Sequence, residues 1–75
     1  MNLEQVDLLR TGVDRWNQWR SENPTTRVDL ADAELPADLR GANLAQANLT
    51  GASLREVDAG DIILTGASLI AADLY

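Results

Sequence analysis

At 75 residues the chain has room for one domain, and chains this short bury too little surface to be stable without regular packing or a partner. It has no Cys and no His, which excludes disulfides, thiolate metal sites and the commonest general base, so neither a catalytic centre nor a cofactor is expected. The net charge of −6 is lopsided: Glu4, Asp7, Asp14 and Glu22 balance Arg10, Arg15, Arg20 and Arg27, and the whole excess lies in residues 28–75, where only Arg40 and Arg55 oppose eight acids. Without Lys or clustered Arg that segment lacks a phosphate-binding footprint, so no direct nucleic-acid binding is expected.

In the first third, Leu3, Val6, Leu9, Val13 and Trp16 recur at helical spacing, and Asn2-x-x-Gln5 reads as a capping box. Gly12 breaks or bends this helix. It ends at Asn23-Pro24, because the residue before a proline is pushed out of the α region. Trp and Arg dominate interface hot spots, which makes Trp19 and Arg20 candidate partner contacts. The plainer reading has Trp16 packing on the neighbouring structure with an arginine over an indole.

From Ala37 onward the period is five. Leu stands at 39, 44, 49, 54, 64, 69 and 74, with Ala59 in the remaining slot, and a small or aliphatic residue lies two before each: Ala37, Ala42, Ala47, Ala52, Val57, Ile62, Ala67 and Ala72. The residue between is usually Asp, Asn or Ser. A period of five fits neither a helix nor a strand, so the chain must turn a corner every five residues. Val28-Asp29-Leu30 and Ala33-Glu34-Leu35 are two further units, but Leu35 and Leu39 are only four apart. Pro36 sits in that gap and predicts a distorted corner rather than a lost coil.

The run "ADLRGANLAQANLTGASL" resembles the tandem A-(D/N)-L-x-x motif of the pentapeptide-repeat family, and "LLRTGVDRWNQWRSENP" resembles the helical lead-in of many bacterial members. The resemblance implies a mainly β fold: a right-handed quadrilateral β-solenoid of about two and a half coils behind an N-terminal helical cap. Residues 1–24 would form the cap and 25–75 the solenoid, in strict frame over 37–75, together one domain. Four units per coil would stack residues twenty apart: Leu39 with Ala59, Leu44 with Leu64, Leu49 with Leu69 and Leu54 with Leu74. Val57 and Ile62 beside the small Ala59 read as volume compensation.

On this map Asp38 lies under Asp58, with Asp61 near by, giving an acidic face. A shared cation is conceivable there, but outward Asp is ordinary in the motif, no glycine-rich calcium repeat accompanies it, and no metal is expected. Arg55 and Tyr75 fall at equivalent positions and predict a cation–π contact. Ile63 and Ile70 occupy outward positions that the motif usually fills with polar residues, and a solenoid needs a polar cap at each end. With none after Leu74 and Tyr75, either the chain continues or this end meets another protein or a second copy. The partner-binding candidates are therefore Ile63, Ile70, Leu74, Tyr75, Trp19 and Arg20. The function expected is a non-enzymatic interaction or scaffold module. The alternative is an acidic DNA mimic that binds a type II topoisomerase or another DNA-binding protein, although about 12 Å of stack imitates few base-pair steps. The longest apolar-leaning run, residues 62–72, is about half a membrane span, and the start lacks a basic signal region, so the expected location is cytoplasmic, with no membrane contact.

Overall fold

A computed structural model of the protein describes residues 1–74. Two helices come first, α1 (Leu3–Arg10) and α2 (Val13–Glu22). α1 begins where Asn2 Oδ1 accepts the Gln5 N–H, and it closes at Thr11, whose N–H and hydroxyl both donate to the Leu8 carbonyl. Gly12 then takes φ 132°, a conformation that side chains disfavour, and α2 starts from it. The expected capping box is only half formed. Gln5 does not return to the Asn2 N–H, because that group already donates to the Asp29 carbonyl and Gln5 reaches Arg27 and Asp29 instead.

Beyond residue 27 the backbone pairs one residue at a time. Parallel bridges join Asp38 to Asp58, Asn43 to Ile63, Asn48 to Ser68 and Ser53 to Asp73, each twenty apart, whereas Asp29–Asn48 and Glu34–Ser53 are nineteen apart. The missing residue is thus absorbed between 34 and 38, at the Pro36 corner, and the stacking survives. Residues 28–44 form a lower layer, 47–64 an upper one, and 67–74 lie on top of that.

Every other corner has one design. The carbonyl of the central residue (Leu30, Leu39, Leu44, Leu49, Leu54, Ala59, Leu64, Leu69) accepts the N–H three residues on. The third residue of each turn has φ between 56° and 74°: Asp32, Gly41, Gln46, Gly51, Glu56, Asp61, Gly66 and Ala71. Such a turn favours Gly there, and five of the eight residues are not Gly. The Asp or Asn before each central Leu or Ala explains its own preference: Asp29, Asp38, Asn43, Asn48 and Asp58 each accept, through Oδ1, the N–H two residues on. Three of the eight acids in residues 28–75, Asp29, Asp38 and Asp58, are therefore accounted for by corner chemistry.

Leu30, Leu39, Leu44 and Leu49 are fully buried with Ala33, Ala42, Ala47 and Ala52 between them, and Val6, Leu9 and Trp16 close this core from the helical side. Val57, Ile62, Leu64, Ala67, Leu69 and Ala72 pack on it while half-buried. Two slots depart from the expected pattern. Ala37 is exposed, beside the shortened Pro36 corner, and Leu74 is 62% exposed because no described residue lies above it.

Candidate interaction surfaces

A stacked fold of this kind has two edges, each a row of backbone N–H and C=O groups around an apolar interior, and each must be covered or paired. The lower edge is covered by side chains of the two helices. Gln5 Nε2 donates to the Arg27 carbonyl at 2.8 Å and Gln5 Oε1 accepts the Asp29 N–H at 2.8 Å. Asn17 repeats the arrangement on another side, donating to the Gly41 carbonyl at 2.9 Å and accepting the Asn43 N–H at 2.8 Å. Two amide side chains thus stand where the peptides of a preceding layer would stand.

Three more donors add to the cover. Trp16 Nε1 donates to the Asn43 carbonyl, Arg10 to that of Glu34 and Arg20 to that of Ala45. Trp16 is fully buried, and Trp19 leans on it at 5.2 Å between ring centroids, tilted by 38°. Of the two candidates on α2, Trp19 is half-buried against the core and Arg20 is half-buried on a backbone carbonyl, where burial lowers its pKa. The pairing role of Gln5 and Asn17 was missed in the sequence. Their only signal was an amide at two positions of otherwise amphipathic helices.

The upper edge differs. The carbonyls of Ile62 and Ala67 and the N–H groups of Leu64 and Leu69 are the counterparts of those that bridge the layers below, and no described residue bridges to them. Around them Ile63, Ile70 and Leu74 are 45%, 71% and 62% exposed. Tyr75, and with it the expected Arg55–Tyr75 contact, lies outside the described residues. Arg55 Nε stands 3.7 Å from Asp73 Oδ2.

On the acidic face Asp38 does lie under Asp58, but Arg40 stands between them. Its Nε is 3.1 Å from Asp38 Oδ1 and 3.7 Å from Asp58 Oδ2. The Arg40 side chain and its backbone N–H hold the Asp38 carboxyl below its ordinary pKa, and Asp38 in turn raises that of Arg40. The protein's own guanidinium thus fills the place considered for a cation. Asp61 lies at a corner of an open cleft of about 780 Å³, between the α1–α2 junction (Arg10, Gly12, Arg15) and Pro36, Asp38 and Arg40.

A family model described as pentapeptide repeats matches residues 37–69 with eight copies. Residues 37–69 of the chain are pentapeptide repeats. The chain's five-residue corners and parallel bridges are those of a β-solenoid. No curated protein and no solved structure gives a significant match to it. Among the described residues, no helix is long and apolar enough to cross a membrane.

Proposed function

We propose that this protein is a non-enzymatic, cytoplasmic interaction module of the pentapeptide-repeat family: one domain in which residues 1–24 cap a right-handed quadrilateral solenoid of about two and a half coils, with the upper edge as its contact surface. The twenty-residue bridge register, four corners to a turn, supports the coil geometry. The observation that carries the functional reading is the asymmetry of the two edges. One is covered by five side chains from the helices, while the other presents Ile63, Ile70 and Leu74 beside unbridged backbone groups. Water can satisfy the polar groups but not the apolar rim, so covering this edge with another protein or a second copy satisfies both.

The mimic reading has less support, since Arg40 and Arg55 partly neutralise the Asp38–Asp58 and Asp73 ladders. The test is sedimentation of the chain across concentration and salt. Self-association that strengthens modestly with ionic strength and is lost in Ile70→Lys supports contact between copies, because salt screens the like charges. A monomer at every concentration would remove the second copy as the partner. The other-protein form of the reading is then tested by photo-crosslinking from position 70 in cells, where no specific adduct would remove that as well.

A further inference from the structure

The lower edge is a pairing surface that the helices cover on three sides. We infer that, when the helical cover is displaced, the lower edge of one copy takes the upper edge of another, so that copies add head to tail into an unbranched filament with continuous parallel pairing. This rests on the solenoid reading of the stack, but not on which partner meets the upper edge in the intact protein.

Complementarity is the first argument. Within the stack, each residue of the upper row offers its N–H and C=O to a carbonyl and an N–H below it, as Ser68 does to Ala47 and Leu49. Asn43 offers the same two groups downward, and Asn17 Oδ1 and Trp16 Nε1 now take them. Asp29 does so too, toward Gln5 Oε1 and the Asn2 N–H. On a second copy turned so that Asp29, Glu34, Asp38 and Asn43 stand over Asp58, Ile63, Ser68 and Asp73, the carbonyls of Val57, Ile62, Ala67 and Ala72 and the N–H groups of Ala59, Leu64, Leu69 and Leu74 are the matching set, around a rim of matching apolar character.

Incomplete cover is the second argument. The helices reach the Asp29, Glu34 and Asn43 sides of the lower layer, whereas at the Asp38 side the α1–α2 junction stands off and leaves the 780 Å³ cleft. The junction itself turns on Gly12 at φ 132° with no neighbour close to where a Cβ would lie. The cover is thus open on one side, and a contact between unlike edges that keeps one stacking axis advances along it with each copy, so it cannot close into a ring and repeats.

The experiment uses the full chain with Gln5→Leu and Asn17→Leu together, which removes both amide surrogates at near-constant volume. The expected result is loss of the wild-type sedimenting species in favour of species that grow with concentration, appear unbranched by electron microscopy and diffract at about 4.8 Å along the fibre. Adding Leu74→Lys, at an exposed position of the opposite edge, should restore the wild-type species. Should the double variant fail to fold by circular dichroism, Asn17→Asp alone serves. Its ionised carboxylate would face the Gly41 carbonyl at neutral pH, and acidification would restore a donor, so assembly should reverse on lowering the pH although the net charge then falls. A folded variant that sediments like wild type, or assembly that neither Leu74→Lys nor acidification changes, overturns the inference. A wild-type monomer bears only on the proposed function.

Discussion

Gln5 and Asn48 make the same pair of hydrogen bonds on opposite edges of one segment. Asn48 donates its N–H to the Val28 carbonyl and accepts from Leu30, while the Gln5 side chain donates to Arg27 and accepts from Asp29. A side-chain amide stands in for a peptide, which is how a solenoid can begin without a preceding layer. Gln5 is 5% exposed, so Gln5→Leu leaves a donor and an acceptor with little access to water. We expect a loss of about 2–3 kcal/mol. Urea denaturation with an unchanged slope checks it, and a loss below about 0.5 kcal/mol would mean that water replaces the amide.

Depth within the stack sets the cost of truncating a central residue. Leu49 is fully buried between layers, so Leu49→Ala should cost about 2–5 kcal/mol, and Leu49→Asp, with an unpaired buried charge, should unfold the protein. Leu74→Ala, at an exposed rim, should cost less than about 1 kcal/mol. Equal losses at the two positions, measured by thermal and urea unfolding, would contradict the layer order.

At the corners, five non-glycine residues carry a left-handed conformation that is unfavourable for an L side chain. Ala71 is exposed at φ 56°, so Ala71→Gly should stabilise the fold by up to about 1 kcal/mol, whereas Gly41→Ala should destabilise it by about as much. Gly51→Ala should cost more than Gly41→Ala, because the added Cβ would meet Asp32 Oδ1, while nothing lies near Gly41. Thermal unfolding of the three variants ranks them.

The Arg40 bridge predicts a pH effect of definite sign. Asp38 is held below its ordinary value of 3.8, first by the hydrogen bond from the Arg40 side chain and next by the Arg40 N–H. A carboxyl whose pKa is lowered by folding contributes stability that is complete above the unfolded value and is lost as the pH falls through the folded one. The Asp38 contribution is therefore present above about pH 4 and disappears below it. Carboxyl NMR titration should show a low Asp38 midpoint in the wild type that rises toward the ordinary value in Arg40→Met. An unchanged midpoint would mean that the guanidinium is not the cause.

Arg40 under Asp58 and Arg55 under Asp73 share one offset, eighteen residues, and the Thr50 and Ser68 hydroxyls, 3.3 Å apart, share it too. That offset was implicit in the map of residues twenty apart, but which side chains use it was not, because rotamers choose among several neighbours. The corners show a similar division. The five-residue period announces that there are corners, whereas the Asx hydrogen bonds that account for Asp and Asn at the middle position become visible only with the backbone in place.

What the sequence by itself determined is the repeat and its phase. Apolar side chains every five residues can be buried together only if the chain turns at that interval, and Pro36 with one residue missing marks the irregular corner. It also set the helix break at Gly12 and the helix end before Pro24, since both follow from local backbone restrictions. Tertiary structure alone decided how the first layer is covered, because the Gln5, Asn17 and Trp16 contacts span between 22 and 27 residues and a polar side chain carries no sequence mark of a distant backbone partner. It alone decided, too, that Arg40 occupies the acidic ladder and that the upper edge stays uncovered among the described residues. Both depend on what the stacking brings within reach of each surface.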